Sequence, residues 1–152
     1  MTNNFNFLEP GKLIDNDFEL VLVEKAPADE AKGYFPKYRF EMRNIKTGEK
    51  MGQISLRVGN NDNTKYGGNV GYGVDEKFRG HHYSARSLKL ISALAKQHGL
   101  NTLWVTCNPD NIASRKTCEL AGGKLLEICD LPADNEQYLK GERKKCRYRF
   151  DL

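Results

Sequence analysis

The amino-acid sequence predicts an α+β fold with a mixed, mostly antiparallel central sheet of about six to seven strands and helices packed on it. Three observations point there. Residues 38–43 and 50–58 alternate apolar and polar side chains, the period of half-buried strands, on either side of the turn Lys46-Thr47-Gly48-Glu49. A central strand at 70–74 runs through a short polar turn into a helical repeat of apolar residues at 84–98. After that helix come a strand, a second helix and two closing strands.

Taken in order, residues 18–23 are apolar and β-branched enough for a strand, and Asp15-Asn16-Asp17 makes the turn before it. Residues 24–36 are polar and hold Pro27 and Pro36, so a loop or one short helical turn is expected. In the second hairpin strand Ile54, Leu56 and Val58 share one face, and Gln53, Ser55 and Arg57 the other. Residues 59–64 read as a loop by composition, and 65–68 extend it. In the central strand Gly71 and Gly73 lie on one face, and Val70, Tyr72 and Val74 on the other; bare glycine in a strand marks close approach by a ligand or another backbone.

The helix at 84–98 repeats Ala85, Leu88, Ile91 and His98 at helical spacing and stops at Gly99, with Arg86, Lys89 and Lys96 toward solvent. Residues 101–107 form a buried strand. Asp110 or Asn111 caps the next helix, which carries Ile112 and Leu120 on its apolar face and closes at Gly122-Gly123. A strand starts at 124–129, a polar loop with Pro132 follows over 130–141, and Cys146, Tyr148 and Phe150 alternate with Arg147 and Arg149 in a last strand. No linker or repeat divides the chain, so one domain over residues 1–152 is expected.

Composition narrows the function. Hydrophobic residues at 39% and charged residues at 29% describe a soluble globular chain. A formal net charge of +4 suits an anionic small molecule and falls short of a nucleic-acid-binding face. Cys107, Cys118, Cys129 and Cys146 are widely spaced with no Cys-x-x-Cys pair, so reduced thiols and no metal site are expected. Residues 1–6 hold neither a basic leader nor an apolar core, and no apolar run reaches the ~20 residues needed to span a bilayer. A cytoplasmic location, away from membranes, is the expectation.

The stretch Gly71-Tyr72-Gly73-Val74-Asp75-Glu76-Lys77-Phe78-Arg79-Gly80-His81-His82-Tyr83-Ser84 is strand, turn and helix start in succession. A helix start offers unpaired N–H groups and the positive end of the helix dipole, a ready anion site. Arg79 adds a fork of donors and Gly80 lets the backbone come close. Val74, four residues, Arg79-Gly80 and a helix start resemble the coenzyme A pyrophosphate loop of the GNAT superfamily of N-acetyltransferases, in its bacterial branch. The later small positions of that loop are here His82 and Ser84. A second segment strengthens the resemblance: Asn111, Ser114, Glu119 and Gly122 fall in the family's register, with Cys118 where Tyr is common and Gly123 where Phe is common.

The resemblance implies a three-layer α/β fold and acetyl transfer from acetyl-coenzyme A, as cosubstrate and without a metal, to a primary amine of a small molecule or a protein. A homodimer is an assembly it allows. It implies that backbone N–H groups of Arg79, Gly80, His81, His82, Tyr83 and Ser84 hold the pyrophosphate. The Gly73 and Val74 backbone would pair with the pantetheine arm, with Asn111 and Ser114 beside it. Two proton jobs remain. Cys118 stands at the family's proton-donor position, with a buried structural thiol as the other reading of it. For the base, Glu41, Tyr72, His81 and His82 are all candidates. The departures at His82 and Cys118 also suit a coenzyme A-binding module that has lost the chemistry.

Overall fold

The computed structural model describes residues 5–152; the reading of the amino terminus as leaderless falls, for residues 1–4, outside the described residues. Its strands are β1 (Leu13–Asp15), β2 (Phe18–Ala26), β3 (Lys37–Asn44), β4 (Lys50–Arg57), β5 (Val70–Val74), β6 (Thr102–Cys107), β7 (Lys124–Asp130) and β8 (Lys144–Asp151). Its helices are α1 (Asp62–Gly67), α2 (Tyr83–Gln97), α3 (Ile112–Leu120) and α4 (Glu136–Leu139). The strands form two antiparallel sheets, five strands in the order β1-β2-β3-β4-β5 and three in the order β6-β8-β7. The expected single sheet is therefore divided between β5 and β6.

The alternation in sequence sets which face is buried. Phe18, Leu20, Phe40, Met42, Ile54 and Leu56 turn inward and meet Leu88, Ile91, Leu94 and Ala95 of α2, all nearly or wholly inaccessible to water. Leu103, Val105, Cys107, Cys146, Tyr148 and Phe150 continue the same core under the second sheet, and Cys118 of α3 closes it. Burial on this scale, at about 25 cal/mol per Å² of apolar surface, is what holds the two sheets together. On the other side, α1 covers the second sheet: Thr106 Oγ1 donates to the Tyr66 carbonyl and Arg147 Nε to that of Lys65. The helices thus lie on both sides of the strands, which makes three layers.

Several short elements escape a reading by composition. Residues 59–68, expected as loop, contain α1, and the polar loop after β7 contains α4. Between β2 and β3 the chain makes only a 3-10 turn, Glu30–Lys32, capped by the Asp29 side chain. Arg86, expected at the solvent side of α2, instead folds against Phe18 and Tyr83 and pairs with both Asp15 and Asp17 of the β1–β2 corner. The carboxylate of Asp17 is held below its ordinary range by that guanidinium. Along β8 the basic residues are matched locally, Lys144 with Asp130, Lys145 with Glu142, Arg147 with Glu127 and Arg149 with Asp151.

Candidate active site

The division between β5 and β6 builds the first part of the site. The two sheets meet at Asn69, whose side chain is wholly buried. Its backbone N–H donates to the Trp104 carbonyl, its Oδ1 accepts from the Trp104 N–H, and its Nδ2 donates to the carbonyls of Gly59 and Arg57. Beyond that point no ladder joins β5 to β6 among the described residues, so the strands open into a cleft. Gly68, at φ +76°, makes the approach feasible: a Cβ there would stand 2.9 Å from the Trp104 carbonyl oxygen. Sequence reasoning passed over Asn69; its one signal is an Asn immediately after Gly67-Gly68 and before a strand.

The register of β5 decides which backbone groups line the cleft. Gln53 lies opposite Gly73, and the Asp75 N–H donates to the Met51 carbonyl. In an antiparallel ladder the hydrogen-bonding direction alternates. Gly71 and Gly73 therefore turn their N–H and C=O groups to β4, while Tyr72 and Val74 turn theirs into the cleft. Of the two residues expected to pair with a pantetheine arm, Val74 faces the cleft and Gly73 faces its own sheet. Tyr72 turns its backbone groups the same way as Val74.

At the end of β5 the chain makes the turn Glu76–Phe78 and enters α2. The Arg79 N–H is used within that turn, on the Glu76 carbonyl, and its Nε leans on the Val74 carbonyl at 3.3 Å. Open amides thus begin at Gly80. Gly80 has φ +95° and His82, the residue capping α2, has φ +61°. Alternation of left-handed and ordinary backbone gathers successive N–H groups into a concavity that suits an anion, and the first turn of α2 adds its own. His82 thus keeps the left-handed conformation that glycine would adopt without strain. His81 and His82 are both exposed.

Across the cleft stands α3. Asn111 caps it, its side chain accepting from the Ser114 N–H at 3.1 Å. The Tyr72 side chain reaches from β5 to this helix: its hydroxyl lies 2.7 Å from Ser114 Oγ and 3.7 Å from Cys118 Sγ. Cys118 itself is wholly buried, and burial pushes its thiol up to about 12. The Tyr72 hydroxyl is pushed above its ordinary value as well, chiefly by burial and then by the thiol of Cys118. Tyr72 therefore holds its proton at neutral pH. Ser114, Tyr72 and Cys118 come together although 42 residues of chain separate Tyr72 from Ser114.

The remaining candidate, Glu41, lies on the other face of the five-stranded sheet, two strands away from Gly73 through Gln53. At 4.7–4.9 Å per strand this is roughly 10 Å. Its carboxylate is paired with Arg43 on the same face. No helix comparable to α2 covers this face among the described residues. Gly73 leaves open space there, with no atom within 4 Å of where a Cβ would stand. At the β5 start the face leads into a cavity of about 680 Å³ lined by residues that include Tyr34, Lys37, Arg57, Tyr66, Asp134 and Gln137. No cluster of His, Cys, Asp and Glu able to hold a metal ion occurs among the described residues, and no described helix is long and apolar enough to cross a membrane.

Known proteins resemble this arrangement. A family model described as Acetyltransferase (GNAT) domain matches residues 15–124. No curated protein matches the chain in sequence. Among solved structures, a RimL ribosomal L7/L12 alpha-N-protein acetyltransferase in complex with coenzyme A aligns at TM-score 0.67 and 15% identity, over 93% of this chain and 98% of that one. A putative ribosomal-protein-serine acetyltransferase from Vibrio cholerae aligns at TM-score 0.65 and 12% identity, over 95% of this chain and 100% of that one. A GNAT-family acetyltransferase from Bacillus anthracis aligns at TM-score 0.61 and 15% identity, over 74% of this chain; the present chain spans 65% of its length. At these identities the structures speak for the fold, and the family match covers most of the chain, including the cleft, the anion loop and α3. The chain belongs to the GNAT acetyltransferase family.

Proposed function

We propose that the protein is an N-acetyltransferase that moves an acetyl group from acetyl-coenzyme A to a primary amine. The observation that carries this reading is the continuity of three features: open amides from Gly80 into α2, the outward-facing backbone of Val74 and Tyr72, and the Tyr72 hydroxyl at the α3 side of the cleft. They lie in the order in which a pyrophosphate, a pantetheine arm and a thioester sulfur succeed one another. The residues fit such a ligand: the loop is left-handed where close backbone approach is needed, and the cleft edge carries strand groups of Tyr72 and Val74 that no neighbouring strand takes up among the described residues. A relative of the fold is described in complex with coenzyme A, which agrees with this reading.

In the reaction the acyl donor supplies an activated carbonyl. The amine lone pair forms the C–N bond, the C–S bond breaks, the nitrogen loses one proton, and the departing sulfur gains one. Among this chain's residues, Gly80, His81, His82, Tyr83 and Ser84 hold the diphosphate by backbone N–H groups, with the Arg79 guanidinium beside it. Val74 aligns the pantetheine through its backbone, and Asn111 and Ser114 border the same arm. Tyr72 delivers the proton to sulfur, the task that the Cys118 position carries elsewhere in the family. The nitrogen's proton leaves to water on the open face of the sheet, where Glu41 is too distant for direct contact. Holding two reactants in line and meeting the charge that develops on oxygen is the larger part of such catalysis.

Calorimetric titration with acetyl-coenzyme A tests the donor site, and amine-dependent release of free thiol tests turnover. One site with a Kd on the order of micromolar is expected, followed by thiol release. Binding with no thiol release from any amine would leave a non-catalytic coenzyme A-binding module; no binding at millimolar ligand would remove the reading altogether.

A further inference from the structure

Arg86 is bound more fully than a cation on a helix surface needs to be, and its bonds gather where α2 meets the anion loop. Its Nε donates to Asp15 Oδ2 at 2.9 Å, and its Nη2 donates to the Asp15 carbonyl at 3.0 Å and to Asp17 Oδ1 at 2.8 Å. Its Nη1 reaches back to the His81 carbonyl at 3.4 Å. The guanidinium lies over the rings of Phe18 and Tyr83, and the Tyr83 hydroxyl donates to the second oxygen of Asp17. The corner that supplies both carboxylates is itself anchored, because the Asp17 carbonyl accepts the Ile45 N–H from the turn after β3. Arg86 also donates its backbone N–H to the His82 carbonyl at 2.9 Å. One residue thus takes the carbonyls of both histidines of the loop, one with its side chain and one with its backbone.

A trans peptide points the C=O of one residue and the N–H of the next in opposite directions. Holding the His81 carbonyl against the guanidinium therefore turns the His82 N–H away from it, toward the open side of the loop. The bond to the His82 carbonyl turns the Tyr83 N–H outward in the same way, but that bond is an ordinary helical one that the backbone of any residue except proline at position 86 supplies. His82 needs the extra hold. It sits at φ +61°, its side chain makes no capping bond, and its imidazole is exposed. A strained backbone persists where its surroundings over-determine it. We propose that Arg86 is a positioning residue of the donor site: braced by Asp15 and Asp17, it fixes the peptide between His81 and His82 so that the His82 N–H faces the diphosphate of acetyl-coenzyme A. The proposal rests on the acetyl-transfer reading above. Lysine at this position would keep the charge and lose the fork that meets the corner and the loop together.

The test uses the full chain, with acetyl-coenzyme A followed by calorimetry and inorganic diphosphate followed by backbone amide NMR. In the unaltered protein inorganic diphosphate is expected to shift the His82 and Tyr83 amide resonances, and no shift at His82 would overturn the proposal. Arg86→Gln and Arg86→Lys should each raise the Kd for acetyl-coenzyme A about tenfold, the worth of one charge-assisted hydrogen bond. In both variants the diphosphate response should be lost at His82 and kept at Tyr83, a split that general loosening of the fold does not produce. Arg86→Lys retains the charge and carries the test where Arg86→Gln fails to fold. Combining Arg86→Gln with Asp15→Asn and Asp17→Asn separates position from charge. The combined variant should stay about tenfold weaker than the unaltered protein. A return to the unaltered Kd would mean that Arg86 only neutralises the corner, which overturns the proposal. So would an unchanged Kd in both single variants, an outcome that leaves the donor site standing. Absence of acetyl-coenzyme A binding in the unaltered protein would instead remove the acetyl-transfer reading, and this proposal with it.

Discussion

Cys118 and His82 depart from the family's usual pattern, and each is answered by a neighbour or by its own backbone. Cys118 occupies a position where a phenol is common, and the phenol of Tyr72 arrives at the same spot from β5, 3.7 Å from the sulfur. Tyr72→Phe is expected to lower kcat about 100-fold, the usual worth of a positioned proton donor, with the Kd for acetyl-coenzyme A unchanged. Cys118→Ala is expected to leave kcat near that of the unaltered protein and to cost about 1 kcal/mol of stability, because a wholly buried sulfur is lost to a small void. Steady-state kinetics alongside urea unfolding separates the two; a kcat that falls with Cys118 and not with Tyr72 would return the donor role to the thiol. His82 keeps φ at +61°, a conformation that costs a residue with a Cβ about 1 kcal/mol. His82→Gly should therefore raise stability by about that amount and leave acetyl-coenzyme A binding intact, and weaker binding in that variant would show that the imidazole itself touches the ligand.

At the scale of elements, the hinge at Asn69 is what turns one sheet into two. Its side chain satisfies the Trp104 N–H and the carbonyls of Gly59 and Arg57 while shielded from water. Asn69→Ala leaves these buried groups without partners, so a loss of about 3 kcal/mol is expected, with weaker acetyl-coenzyme A binding as the cleft edges lose their fixed angle. Thermal unfolding and titration check the pair of effects, and a stable variant with unchanged affinity would refute the hinge role. The long elements were legible because their periodicity is imposed by burial: β3, β4, β5 and α2 fall within one or two residues of their expected bounds. The turn from β5 into α2 and the cap at Asn111 were legible because both depend on local backbone chemistry. Less was legible where the determinants lie far apart in the chain. α1 is held by contacts from β6 and β8, not by its own composition. The division of the sheet depends on one Asn, and the meeting of Tyr72 with Ser114 depends on how α3 docks. The turn of the Gly73 backbone toward β4 was not legible because period-two alternation tells which face a side chain takes, while the orientation of the backbone groups follows from the partner strand.

At the scale of the molecule, the two ends of the first sheet's core are tied together by an aromatic cluster. Tyr38 of β3, wholly buried, accepts a hydrogen bond from the Leu8 N–H and lies 2.6 Å from His98 Nε2 at the end of α2. Phe5 stacks on the same imidazole, and Phe7 packs edge-on against Tyr38. Residues 5–8 are thereby fastened to both the sheet and the helix layer through His98. Burial holds the His98 imidazole below the ordinary histidine value of 6.5. With a folded value below the unfolded one, the unfolded chain takes up the proton first, so stability is full above 6.5 and falls as the pH drops through that value, levelling off once the folded protein is also protonated. Urea unfolding between pH 8 and 5 should show this decline, and His98→Gln, which cannot take up a proton in that range, should remove its share of it. The decline should be accompanied by earlier release of the amino-terminal segment, because protonation weakens a side chain that Phe5 and Tyr38 both contact. A His98→Gln variant with the same pH dependence as the unaltered protein would assign the decline to other groups, and amide exchange at Leu8, measured across the same range, would show whether the segment loosens before the whole fold does.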